Sequence, residues 1–455
     1  MKALKIAAIG ALAAVSCVPG SIAAAPTVYP SGTTLYEPDK TDNGYTVLSP
    51  LETHAVIVID MNGRVVKRWD GFGLSAGGPA RVLPDGSVIA PEGGDSTYQE
   101  SSALVRRDFV GKELWRFDRN QQIQVNGKAQ WSAREHHDWQ LSDFPAGYAS
   151  PDVKPAQESA KILLLTHSDR RDAAIANVGI KDDRLIEIDR SGRILWQWSA
   201  ADHIDAMKFD ARQRAAITRS GTKDVYDWTH INSATYVGPN KWFDAGDKRF
   251  DPRNVIISSR QASFVAIVAR DGSIVWQIGP DFTRTPQEKA LGQIIGQHHP
   301  HLIPPGLPGA GNMLIFDNGG ASGYGDDSPI APTGLGVYVR NSSRVLEIDP
   351  ITLNLVWSYE APNFYSSHIS SAQRLPNGNT LITEGADGRV FEVTPQKRIV
   401  WEYVGPPGEA GQRTNAIYRA YRIPYSWLAQ RAPPAEKAIA RPDPANFHVP
   451  GTPAD

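Results

Sequence analysis

Residues 364–385 read FYSSHISSAQRLPNGNTLITEG. Two apolar, strand-like pieces flank the turn Pro376-Asn377-Gly378-Asn379. Asn-Gly is a strong hairpin signal because both residues tolerate positive φ. His368 stands just before the first strand piece. The layout recurs upstream: residues 229–240, THINSATYVGPN, align without gaps on residues 367–378, SHISSAQRLPNG, and set His230 on His368. Residues 81–90, RVLPDGSVIA, repeat the hairpin without a histidine. HHDWQL (136–141) and HHPHLI (298–303) match each other in two further units. Four repeat units therefore carry histidine near one edge.

A second pattern runs between these hairpins. An apolar strand closes near Asp, a turn with Gly or Pro follows, and the next strand ends in tryptophan, at Trp69, Trp115, Trp196, Trp276, Trp357 and Trp401. RLIEID and RILWQW alternate with period two, the strand period. Together with the hairpins, each unit supplies about four short strands. Repeats of this kind predict an all-β fold, a six-bladed β-propeller, with the six tryptophans packed between neighbouring blades. The insertions 121–134, 146–160, 202–224, 281–295 and 319–336 read as loops, and 201–219 as holding a short helix. Long loops in compact folds tend to be functional.

The chain has 455 residues, with 47 Lys+Arg against 49 Asp+Glu and a formal charge of -2. No basic run stands out, so nothing points to a nucleic-acid partner. Gly 40, Pro 34 and Trp 12 suit a turn-rich β protein. Residues 1–25 read as a secretory signal: MKALK is the basic start, IAAIGALAAV the short apolar core, and small residues follow through Ala25. The expected location is periplasmic or secreted, with a lipid anchor on Cys17 as the alternative. Cys17 is the only cysteine, so a chain cleaved after the signal has no disulfide and no thiolate metal site. No later apolar run is long enough for a membrane helix. Residues 26–50 form a lead-in, 51–427 the propeller, and 428–455 an Ala/Pro-rich tail.

Matched positions of successive blades converge on the propeller axis. Histidines at His136 or His137, His230, His298 or His299, and His368 are therefore expected to face one channel. Repeats need apolar residues and glycines in register, and packing has no need for imidazole. Two other readings fit the same residues. One is a metal centre, at His298, His299 and His301 or at His136, His137 and Asp138. Strand alternation sets His299 and His301 on one face and His298 on the other. The second is a binding propeller without catalysis.

The succession DWTHINSATY, NVIISSR, WQIG, GQHH with NMLIFDNG, SSRVLEID and the opening stretch, in this order, resembles the bacterial arylsulfate sulfotransferases over residues 104–401. The resemblance implies a periplasmic six-bladed propeller. It would move a sulfuryl group from an aryl sulfate to a phenol through a sulfated histidine, without an adenylyl-sulfate donor, cofactor or metal. Carried over by motif, His368 attacks sulfur, His298 protonates the departing phenolate, and His230 with Arg260 neutralises the sulfuryl oxygens. His137, His299 and Asn232 complete the substrate-binding set. The expected partners are a small aryl sulfate and a phenolic acceptor. One departure stands out: the family usually shows an arginine shortly after FDNG, where this chain reads GASGYGDDS. Either Arg344 or Arg374 substitutes, or this chain has lost that contact.

Overall fold

The structure, a computed structural model, describes residues 31–51, 53–73, 78–94, 99–153, 155, 160–220, 225–324, 337–405, 414–432 and 434–442. The signal with Cys17 and the last residues of the tail lie outside them. Six antiparallel sheets form the six expected blades. The inner strands, in ring order, are Ile417–Ile423, Arg81–Val82, Glu135–Leu141, Ile231–Tyr236, His298–Leu302 and Ser371–Arg374. We number the blades one to six in that order.

The ring closes at both ends of the chain. Ile417–Ile423, from the C-terminal side, pairs with Tyr45–Pro50 to complete blade one. Gly32–Tyr36 adds a fifth, outer strand to blade six by pairing with Ile399–Val404. The lead-in segment thus contributes strands to both blades. Part of the tail lies along the surface, where Ile439 exchanges backbone hydrogen bonds with Tyr36 at 2.9 and 3.0 Å. A two-stranded hairpin, Gln121–Val125 with Lys128–Ser132, stands outside the blades. The expected helix near 201–219 is present as a 3-10 segment Ala200–Met207 and an α-helix Ala211–Ser220.

The hairpin turns differ in one detail from the expectation. In 375–379, Gly378 takes φ 89° while Asn377 does not enter the positive-φ region. Gly378 N donates to Leu375 O at 2.9 Å, and the Asn377 carboxamide oxygen accepts from Asn379 N at 3.0 Å. Asparagine is needed here for its side-chain acceptor, and only glycine supplies the left-handed backbone. The turn at 83–87 is built alike, with Gly86 at φ 78° and Asp85 accepting from Ser87 N.

The six tryptophans do more than pack. Each indole Nε1 donates to a backbone carbonyl in a turn of the next blade: Trp69 to Asp108, Trp115 to Arg190, Trp196 to Arg270, Trp276 to Pro350, Trp357 to Pro395, and Trp401 to Met61. The distances run from 2.8 to 2.9 Å. The last bond closes the circle from blade six to blade one. Trp276→Phe keeps the aromatic contact but orphans Pro350 O, and is expected to cost about 1 kcal/mol in a urea unfolding series. No loss of midpoint would mean that water replaces the indole.

The inner strands are buried yet polar, as an axis-facing set requires. Asp138 joins four blades. Its Oδ1 accepts from Arg81 Nη2 at 2.9 Å, and its Oδ2 accepts from Arg419 Nη1 at 3.0 Å, Ser233 Oγ at 3.0 Å and Ala234 N at 3.2 Å. Arg81, Arg419 and Asp138 are all fully buried. Among the described residues, no helix is long and apolar enough to cross a membrane.

Candidate active site

The histidines gather where the inner strands begin. Three blades break their ladder there with a register shift, between Glu135 and Trp139, Ile231 and Ser233, and His298 and His301. A histidine at each break has positive φ: His137 60°, His230 43° and His299 51°. In blade six Ile369 at 51° occupies the comparable place, directly after His368. Left-handed backbone costs a non-glycine residue roughly 1–2 kcal/mol, and such strain collects where a side chain must be re-aimed.

His230 is held by Asp227. The carboxylate accepts from the His230 backbone N at 3.0 Å and lies 2.5 Å from Nδ1. Asp227 is brought there by Val225–Asp227, a short strand that pairs in parallel with Gly179–Ile188 of blade three. The His230 ring meets the His137 ring edge to face, centroids 4.7 Å apart. His137 in turn shares an Nδ1–Nδ1 hydrogen bond of 2.8 Å with His136.

His298 is buried. Its Nδ1 lies 2.7 Å from Asn318 Oδ1 and 3.0 Å from Gly296 O. Asn318 spends its amide hydrogens on Ser366 O and Ile369 O, so its oxygen is the acceptor. Nδ1 of His298 therefore carries the hydrogen, and Nε2 presents a lone pair. Burial, with Arg260, Arg419 and His368 nearby, holds the His298 pKa well below the ordinary imidazole value, although Asn318 pulls the other way.

His368 sits at the open rim, its Nδ1 2.9 Å from Ser367 Oγ. The protein packed around the ring and the Arg260 guanidinium lower its pKa. Arg260 donates its backbone N to His230 O at 3.0 Å. Among the described residues the one hydrogen bond of its guanidinium is a long one, Nη2 to Ala321 O at 3.4 Å. A cation with so little protein compensation is suited to an anion. His230, His298, His368 and Arg260 thus share one neighbourhood.

The other expected residues are placed differently. His299 turns away from His298 toward the deeper axis, its ring 4.4 Å from His301 and 6.0 Å from Tyr421, and its Nε2 3.4 Å from Ala146 O. His301 is fixed between His299 O and the Tyr148 hydroxyl. Asn232 spends its amide nitrogen on Gln297 O at 2.7 Å, leaving a buried oxygen without a partner. That free atom is an acceptor and suits a hydroxyl better than a sulfate oxygen. Arg344 is paired with Asp317, and Arg374 with Glu347, so neither stands in for the absent arginine. Sequence reasoning missed Asp227 and Asn318. Both lie in motifs already singled out, DWTH and FDNG, and each orients one histidine through Nδ1.

Fold and site together define a β-propeller with a histidine-lined axial site. The sequence profile of the family described as Arylsulfotransferase (ASST) matches residues 139–405, and the chain belongs to that family. No curated protein matches it. Among solved structures, a protein of unknown function from Bacteroides caccae is 11% identical with a TM-score of 0.43, over 84% of this chain and 99% of that one. The β-propeller domain of Myceliophteria thermophila Cps50 (Swd1) is 10% identical with a TM-score of 0.39, over 84% and 91%. A streptogramin B lyase is 11% identical with a TM-score of 0.37, over 83% and 84%.

Proposed function

We propose that the protein transfers a sulfuryl group from an aryl sulfate to a phenol through a sulfohistidine, outside the cytoplasm. One observation carries this reading: His230 and His298 are tied through Nδ1 with Nε2 left for chemistry, beside His368 and the little-compensated Arg260. Sulfuryl transfer spreads negative charge over three oxygens, so placement and cationic hydrogen bonds do most of the work.

His368 Nε2 attacks sulfur as the bond from sulfur to the aryl oxygen breaks. His230, its Nδ1 held against the Asp227 carboxylate, gives its Nε2 proton to the departing oxygen. In the second half the phenol returns a proton to His230 as its oxygen attacks sulfur, and the S–N bond breaks. Arg260 binds the sulfuryl oxygens throughout and takes the place of the arginine absent after FDNG. This division moves the acid role from His298 to His230. A neutral His298 with a lone pair at Nε2 accepts hydrogen bonds rather than giving protons, and is suited to hold the acceptor's hydroxyl.

The direct test is incubation with 4-nitrophenyl sulfate and phenol. Phenol-dependent release of nitrophenolate is expected, and its absence from folded protein would end the transferase reading. The pH profile carries a second expectation. A nucleophilic imidazole works in its neutral form, and the surroundings lower the His368 pKa. Activity should therefore persist below pH ~6.5, the ordinary histidine value, and fall only as the pH drops through the lowered pKa. Arg260→Gln removes a cation that disfavours protonation, so it should move this acid limb upward and cut kcat/KM by about 10²-fold. An unmoved limb would place Arg260 too far from His368 for the proposed role.

A further inference from the structure

Beside His137, within blade three, lies a second cluster that the transfer chemistry does not use. His136 Nε2 is 3.2 Å and His167 Nε2 3.6 Å from the same Oδ1 of Asp183. The three atoms lie within 4.8 Å of one another, all buried, and among the described residues none has a well-formed hydrogen bond, the two imidazole nitrogens facing the one Asp183 oxygen. Buried polar atoms without partners are rare, and each calls for an occupant.

We propose that His136, His167 and Asp183 bind one divalent transition-metal cation of the Zn²⁺ type. The remaining polar atoms of the three side chains are already engaged. His167 Nδ1 is held by Glu100 Oε1 at 3.1 Å, and His136 Nδ1 by His137 Nδ1 at 2.8 Å. Asp183 Oδ2 accepts from Thr229 Oγ1 at 2.5 Å and Ile231 N at 2.8 Å. Each candidate ligand therefore has the outer hydrogen bond that aims a metal-binding side chain. Bonds of about 2.0–2.2 Å in a tetrahedral site put ligand atoms roughly 3.3–3.6 Å apart, close to the separations present.

The donor set, two imidazoles and one carboxylate, favours Zn²⁺ and its neighbours over Ca²⁺ or Mg²⁺. The local charge agrees. Glu100, Asp169, Asp183 and Asp227 surround the cluster, while Arg134 and Lys181 pair with Glu100 and Asp169. Asp227 is taken up by His230, which leaves Asp183 as the carboxylate of this group without a fixed cation beside it. The His136 and His167 rings lie stacked, centroids 3.6 Å apart at 17°. An ion taking both lone pairs must splay them, so binding opens the stack. All three ligands belong to blade three, and Asp183 also caps the start of blade four. The ion would brace the wall that carries His137 without touching the sulfuryl group.

The test uses the mature protein, treated with chelator and titrated with Zn²⁺ by calorimetry, with thermal melting in parallel. One equivalent should bind and raise the melting temperature, while Asp183→Asn and His167→Gln each weaken binding by about 100-fold or more. Absence of saturable heat in the wild type would overturn the proposal and leave a proton shared by His167 and Asp183 as the occupant. Equal binding in wild type and both variants would put the ion elsewhere and overturn it too. Should the variants fail to fold, ¹⁵N spectra of the wild-type histidine rings decide: two Nε2 signals must move on adding Zn²⁺, and movement at Nδ1 or nowhere overturns the assignment. These readouts are independent of nitrophenolate release, so either reading can fail alone.

Discussion

His368→Asn is expected to abolish sulfuryl transfer, by about 10³-fold or more, while leaving the fold intact. The side chain stands at the rim with one hydrogen bond, to Ser367, so its removal opens no cavity and strands no buried partner. Asparagine matches imidazole roughly in reach and hydrogen bonding but offers no nucleophilic nitrogen. Loss of the proton donor is less severe than loss of the nucleophile: His230→Asn should lower turnover but leave it measurable with nitrophenyl sulfate, whose leaving group departs without full protonation while Arg260 still neutralises the sulfuryl oxygens. Incubation with donor alone should leave a sulfuryl adduct on the peptide containing His368, detectable by mass spectrometry. An adduct on the peptide containing His298 or His230 would keep the reaction class and refute the assignment of roles. Normal transfer by His368→Asn with no adduct anywhere would remove histidine from the covalent step.

The second large effect concerns stability. Asp138→Ala is expected to cost 3–5 kcal/mol or more, on the order reported for breaking a buried ion pair. It leaves the Arg81 and Arg419 guanidiniums fully buried without their carboxylate, and also strips the acceptor from Ser233 Oγ and Ala234 N. Arg419 lies on the closing strand Ile417–Ile423, so the loss falls on the seam where the two ends of the chain meet. The contrasting variant is Asp205→Ala. Asp205 is 95% exposed and, among the described residues, pairs with Arg214 on the surface, and its loss should cost under about 1 kcal/mol. Urea midpoints of the two variants, compared at equal slope, check the contrast. Equal, small shifts would mean that other groups rebalance the buried arginines.

The repeat was legible in the chain because strand alternation, turn residues and the Asp-to-Trp cassette are local signals, each complete within some fifteen residues. They determined the six blades and the edge on which histidine accumulates. The cassette tryptophans were read as packing. Their Nε1 bonds to the next blade needed the ring itself, since Trp276 and Pro350 become neighbours only when two blades stand side by side.

The site depended more on tertiary structure. A strand alternates sides with period two, so a single extra residue at a bulge re-aims everything around it. That is why His298 faces Asn318 while His299 turns to His301 and Tyr421, and why His137, not His136, meets His230. Alternation alone separated His298 from His299 but could not say which of them faced the catalytic end. The Asp138 junction lay beyond sequence reasoning for a different cause. Its partners Arg81 and Arg419 stand 57 and 281 residues away. Only a closed ring, which brings every inner strand to one axis and excludes water from it, makes those three charges answer to one another.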